Sequence, residues 1–175
     1  MNAPKTTLIL GIGNDILSDD GIGIRLVNDL KVQLDEDTLQ FDTLNVGGLE
    51  IVEQIQPYNK VIIIDAIKTK QGVPGEVMHL TPEIFKQTSH ISSFHDISFL
   101  TAIKFGHKIG MNIPEQIDII AIEIVEDMVF SSQLSPIIQK RYKRILKEVV
   151  KITKTVLAKT DNNTRLQYSN YKVVS

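Results

Sequence analysis

The sequence predicts an α/β sandwich around a mostly parallel β-sheet. Two observations carry that expectation. Strand-like apolar runs alternate along the chain with segments of helical period, the order that βα units impose. The run Val61-Ile62-Ile63-Ile64 is β-branched and unbroken, as a central parallel strand covered on both faces should be.

The elements follow in order. The run from Thr6 to Gly11 reads as a buried first strand, closed by the tight loop Gly11-Ile12-Gly13-Asn14. A helix then begins near Asp19 or Asp20 and repeats Ile22, Leu26, Val27 and Leu30 along one face. Leu39 to Val46 forms a second strand, and Gly47-Gly48 introduces a short helix from Leu49 to Ile55 that Pro57 stops. The third strand, Val61 to Ala66, reaches an aspartate, Asp65, near its end. Gly72-Val73-Pro74-Gly75 turns the chain into a shorter strand from Glu76 to Leu80, which is left open to pair in another sense. Ser93-Phe94-His95-Asp96 leads into a helical pattern at Ile97, Leu100, Thr101 and Lys104, and Ile117 to Val125 is the last strand. A C-terminal helix from Pro136 to Lys159 carries Ile138, Tyr142, Ile145, Val149 and Ile152 on one face. Residues 1–160 make one domain, and the polar segment from Asp161 to Ser175 is expected to be a loosely held tail.

Bulk composition narrows the function. The chain has 175 residues, 42% hydrophobic and 23% charged, with a formal charge of −2. A near-neutral balance provides no broad positive field, so neither nucleic acid nor an anionic membrane is an expected partner. Cysteine is absent, which excludes disulfides, Cys-ligated zinc, iron–sulfur clusters and thiol catalysis. No run is long enough for a membrane span, and the expected location is the cytoplasm.

In open α/β sheets, sites gather beyond the carboxyl ends of the strands, where loops and helix N-termini converge. Three residues fall in such places: Asp20 after the first strand, Asp65 at the end of the third, and His95 in a loop before a helix. Two carboxylates and an imidazole form a mixed oxygen and nitrogen donor set suited to zinc, nickel or iron. Each also has a plainer reading. Asp19 and Asp20 are good helix starters, Asp65 could brace a neighbouring loop, and His95 could make local hydrogen bonds. His79, His90 and His107 lack a comparable setting and are read as surface or structural residues. Gly47-Gly48 would let a ligand backbone approach closely, or would serve only as a turn. The first loop lacks the dinucleotide fingerprint, since Ile16 stands where the third glycine belongs. The basic face of the C-terminal helix, including Lys140, Arg141, Arg144 and Lys147, is read as solvated surface.

Four segments together resemble the hydrogenase maturation endopeptidases: Gly11-Ile12-Gly13-Asn14, Leu17-Ser18-Asp19-Asp20-Gly21-Ile22-Gly23, Ile63-Ile64-Asp65-Ala66 and Ser93-Phe94-His95. The likeness runs from about Thr7 to Val156. It implies a three-layer sandwich with a twisted five-stranded sheet, of the phosphorylase/hydrolase-like kind. It also implies that Asp20, Asp65 and His95 form the catalytic metal site, with Gly47 and Gly48 contacting substrate. The reaction implied is cleavage of one peptide bond near the C-terminus of a nickel-iron hydrogenase large-subunit precursor after nickel insertion. Nickel would arrive with the substrate, zinc or another divalent metal could fill the same site, and the protease would be a monomer. Position 20 is aspartate where some members have glutamate, and Asn45 precedes the Gly-Gly turn where members often have an acid, so that turn supplies no carboxylate base here.

Two other readings compete. A phospho-receiver signalling domain also pairs acids after its first strand with an aspartate after its third, but it ends its fifth strand with a lysine, where this chain has Glu123 and Glu126. A metal-dependent hydrolase of another peptide or a small molecule would use the same fold, and fold alone does not choose a substrate.

Overall fold

The computed structural model describes residues 7–34, 37–45, 48–82, 84 and 94–169, the side chains of 94–100 and 160–169 excepted. Its strands are β1 (Thr7–Ile12), β2 (Leu39–Leu44), β3 (Lys60–Ile67), β4 (Val77–Leu80) and β5 (Gln116–Glu123). The helices are α1 (Ile22–Gln33), α2 (Leu49–Ile55), α3 (Phe94–Lys108) and α4 (Pro136–Ser169), with a 3₁₀ turn at Ser18–Gly21. The strands form one sheet in the order β2-β1-β3-β5-β4. All neighbours are parallel except β4, which runs antiparallel along β5 with Val77 opposite Ile122. The expected α/β sandwich is what forms, and the open pairing of the short strand resolves as an antiparallel edge. That arrangement departs from the 2-1-3-4-5 order of receiver domains.

Strand alternation divides the core into two layers. Ile62, Ile64 and Ala66 of β3 face α1 and α4, where they meet Ile22, Leu26, Ile138, Ile145 and Val149. Val61, Ile63 and Ile67 face the other way, against Ile51, Val52 and Ile55 of α2 and Ala102 and Ile103 of α3. Every residue of β3 is buried, the physical reason its central run Val61 to Ile64 is apolar without alternation. Each fully buried isoleucine contributes about 1.5–3 kcal/mol through removal of apolar surface from water.

The first and last helices have boundaries other than those expected. The first helix is not capped by Asp19 or Asp20: those residues lie in the 3₁₀ turn, and Gly21 is the N-cap of α1 without a side-chain cap bond. The last helix does not stop at Lys159 but continues to Ser169, since Thr160 to Ser169 contains neither glycine nor proline to break it. Residues 170–175 of the expected tail lie outside the described residues.

Glycines set how closely α1 rides on the sheet. A Cβ on Gly23 would lie 2.3 Å from the Ile12 carbonyl oxygen and 2.4 Å from that of Ile64, so the first turn of α1 sits directly on β1 and β3. Gly11 meets the same helix from below, its missing Cβ 2.6 Å from the Gly23 oxygen. On the outer side of α1, the Tyr142 hydroxyl of α4 donates to Asp29 at 2.8 Å. Burial of the phenol raises its pKa, and the Asp29 carboxylate adds to the rise.

Two outcomes follow. Gly23→Ala should cost about 1–3 kcal/mol of stability, the scale of overpacking against an unyielding backbone. Urea unfolding measures it, and an unchanged midpoint would refute the close approach. Because the folded pKa of Tyr142 is raised, its contribution to stability is intact below the ordinary tyrosine value of about 10 and lost as pH climbs above it. Tyr142→Phe should therefore flatten the fall in stability between neutral and strongly alkaline pH.

Candidate functional site

The loop after β1 is shaped by residues that only this sequence order supplies. Asn14 Oδ1 accepts the Ile16 N–H at 3.2 Å, an Asx turn that reverses the chain. Gly13 has φ of 145°, and a Cβ there would lie 2.0 Å from the Asp20 carbonyl oxygen, so glycine is required for the two arms of the loop to touch. Ser18 takes φ of 49°, a left-handed conformation rare outside glycine and asparagine. It is held there from both sides: its N–H donates to the Ser131 oxygen at 2.8 Å and its hydroxyl to the Gln133 oxygen at 3.1 Å. The turn at Ser18 precedes two aspartates that bond in different directions.

Asp19 is fully buried. Its Oδ2 accepts the N–H groups of Val125 and Glu126 at 3.3 and 3.1 Å, and its Oδ1 accepts that of Ser135 at 2.7 Å. It therefore ties the first loop to the segment between β5 and α4 and is a structural brace, a role the helix-starter reading missed. Asp20, 5% exposed, accepts the Asn14 N–H at 2.8 Å. That bond closes the loop onto the candidate acid and orients it.

Asp65, 8% exposed, lies between Ile63 and Ile67 near the carboxyl end of β3 and so shares their face, toward α2 and α3. Its Oδ1 accepts the Ala66 N–H at 2.8 Å. The 3₁₀ turn bearing Asp20 packs against β3, and Gly23 rests on the carbonyl of Ile64, the residue before Asp65. The fold thus brings the first two candidates to one edge of the sheet.

His95 is not in a loop but in the first turn of α3. The chain leaves the other end of that helix for the start of β5, so the topology directs the first turn toward the carboxyl edge that bears Asp65. The His95 side chain lies outside the described residues, and among those described no group of three His, Asp or Glu is placed to hold a metal. Gly47 also lies outside them. Gly48 is the N-cap of α2 with φ of 74°, and no atom stands within 4 Å of where a Cβ would be. Gly48 thus serves as a turn, with open space beside it.

Among the remaining histidines, His79 pairs with Asp118 at 2.7 Å on the sheet's edge strand, His107 is exposed, and His90 lies outside the described residues. Arg141 and Arg144, read as solvated, donate to the carbonyls of Pro74 and Gly75 and hold the turn before β4. Glu123, buried at the end of β5, accepts the N–H and hydroxyl of Thr69 at 2.7 and 3.0 Å and braces the segment after β3.

Asp19→Ala would leave three N–H groups without their acceptor. A loss of about 3 kcal/mol or more is expected, since each buried donor left without an acceptor costs about 1–3 kcal/mol. Chemical unfolding measures it, and a loss typical of an ordinary cap, about 1 kcal/mol, would refute the brace.

Comparison with known proteins bears on the fold and the family. The family model described as hydrogenase maturation protease matches residues 24–152. A curated relative, the hydrogenase 2 maturation protease of Escherichia coli (strain K12), is 31% identical over 105 residues, a match spanning 56% of this chain and 63% of that protein's length. The structure of the hydrogenase maturating endopeptidase HybD from E. coli superposes with a TM-score of 0.68 at 23% identity, covering 86% of this chain and 93% of the other. The [NiFe] hydrogenase maturation protease HycI from Thermococcus kodakarensis KOD1 superposes with a TM-score of 0.63 at 22% identity, covering 87% and 95%. These likenesses establish a shared fold, and no helix among the described residues is long and apolar enough to cross a membrane. With a family model matching most of its length, this chain belongs to the hydrogenase maturation protease family.

Proposed function

We propose that this protein is the endopeptidase that removes the C-terminal extension of a nickel-iron hydrogenase large-subunit precursor once nickel has been inserted. The observation that carries the reading is the convergence of two buried aspartates, Asp20 and Asp65, on the carboxyl edge of the sheet in a chain of this family.

The donor chemistry fits a divalent ion. Two carboxylates supply negative charge and an imidazole supplies a borderline nitrogen, a combination that suits nickel or zinc better than a purely hard oxygen cage would. Each aspartate has one oxygen anchored by a backbone N–H, so neither carboxylate must be ordered afresh when substrate arrives. In this reading Asp20, Asp65 and His95 contact the metal that the precursor carries, and the bound ion joins the two proteins beside the scissile bond. Zinc or another divalent ion would compete for the same donors. Gly48 contacts the substrate strand, as Gly47 does by the resemblance, and at Gly48 a side chain would fill open space beside the turn. Recognition through the metal makes cleavage conditional on nickel, since a precursor without it lacks the group that the three residues bind. The protein acts as a monomer in the cytoplasm, where the precursor is completed.

The deciding experiment is the intact mass of each hydrogenase large subunit in cells with this gene present and deleted. Accumulation of one subunit at precursor mass in the deletion supports the reading and identifies the partner, and mature mass for every subunit counts against it. With purified components, Asp65→Ala and His95→Ala should each lower processing by about 10²–10³-fold, the scale for loss of one charge-stabilising group, without unfolding the protein. Retained activity in both would refute the metal-site assignment.

A further inference from the structure

The segment between β5 and α4 exposes large apolar side chains that the core does not use. Met128 is 79% and Phe130 81% exposed, with Val125 and Val129 beside them in sequence. Ile16, at the tip of the first loop, is exposed too and joins the same surface, because the Ser131 N–H donates to the Ile16 oxygen at 3.0 Å and Leu17 bridges Ser131. Single exposed apolar residues are normal, and Val32 on α1, between Lys31 and Gln33, is one. Five drawn from two loops that are bonded together are a different matter.

The surface is held in shape. Asp19 binds the N–H groups of Val125 and Glu126, the Met128 N–H donates to Glu126 at 2.9 Å, and Lys68 pairs with Asp127 at 2.7 Å. With the backbone already fixed, docking has only side-chain rotamers left to order, a condition that lets a few large apolar residues anchor an interface. The brace also sets its place: Asp19 precedes Asp20, so the surface adjoins the candidate metal-contacting edge through one residue.

From these observations, and resting on the endopeptidase reading above, we infer that Ile16 and residues 125–130 form the docking surface for the folded body of the substrate protein, outside the segment that is cut. Charge selects among occupants. Asp15, Glu126 and Asp127 border the patch against the cations Lys68, paired with Asp127, and Arg25, which donates to the Ser132 oxygen, so the fringe is acidic on balance. A second copy docking through the same face would set this acidic fringe against itself, because a two-fold contact pairs a surface with its own image. The fitting occupant is a different protein whose apolar surface is bordered by basic residues.

The test is steady-state processing of the nickel-loaded large-subunit precursor by the unsubstituted protein, by the double variant Met128→Glu/Phe130→Glu, and by Val32→Glu as an equally exposed control. Both sets of positions point to water, so thermal unfolding should be unchanged in all three. The double variant should raise KM by about tenfold or more with kcat retained, as loss of a binding anchor does, and Val32→Glu should do neither. Processing with unchanged KM in the double variant overturns the docking surface and leaves the endopeptidase reading standing. An unsubstituted protein that processes no precursor overturns that reading, and the assigned occupant with it. A concentration-dependent dimer that the double variant abolishes, with KM unchanged, would reassign the face to self-association.

Discussion

The carboxylate of Asp19 is the point on which the upper edge of this molecule depends. Removing an ion from water costs several kcal/mol unless the protein replaces the lost solvation, and here three backbone N–H groups from the two ends of the β5–α4 segment do so. The bonds are reciprocal in effect. The N–H groups of a turn just beyond a strand have no ladder partner, and the carboxylate satisfies them while they satisfy it. One side chain thereby fixes the β5–α4 segment against the loop after β1, and both segments border the edge where Asp20 and Asp65 lie.

Packing from below completes the arrangement. Gly11, Gly13 and Gly23 allow backbone to touch backbone where any Cβ would force separation, so α1 settles directly on the carbonyls of β1 and β3. That contact carries the 3₁₀ turn toward the end of β3. The strained φ of Ser18 fits the same logic: two bonds across the loop hold a conformation the residue would otherwise leave, and the outcome is a pair of adjacent acids with different tasks. Asp19 holds the edge together, and Asp20 is oriented by Asn14 for chemistry.

The fold was largely legible before any coordinates. A strand buried on both faces has no solvent side to alternate toward, and the unbroken run Val61 to Ile64 announces β3 for that reason. The candidate site was legible in part. Asp65 stood out because a charge near the end of such a strand is costly without a purpose, and Asp20 because it follows a loop rich in glycine. His95 was reached by its place in the chain before a helical pattern, although that pattern missed its position inside the helix by a few residues. The patch at Met128 and Phe130 went unremarked, although two large apolar residues outside any periodic run were its visible signal.

Sequence alone determined what nearest-neighbour physics controls: the order of strands and helices, the apolar faces, the glycines where chain must turn, and the family to which the chain belongs. Tertiary structure decided the matters that depend on residues far apart in the chain. Whether Asp19 caps a helix or bridges to Ser135 is one such matter, for both roles ask the same residue to accept N–H groups, and only the folded chain shows whose. The antiparallel seating of β4, the clamp of Arg141 and Arg144 on the turn before it, and the meeting of Ile16 with Ser131 are others. Each is a contact between segments whose separation along the chain leaves no local trace, because a hydrogen-bonding group or an apolar side chain carries no mark of its distant partner.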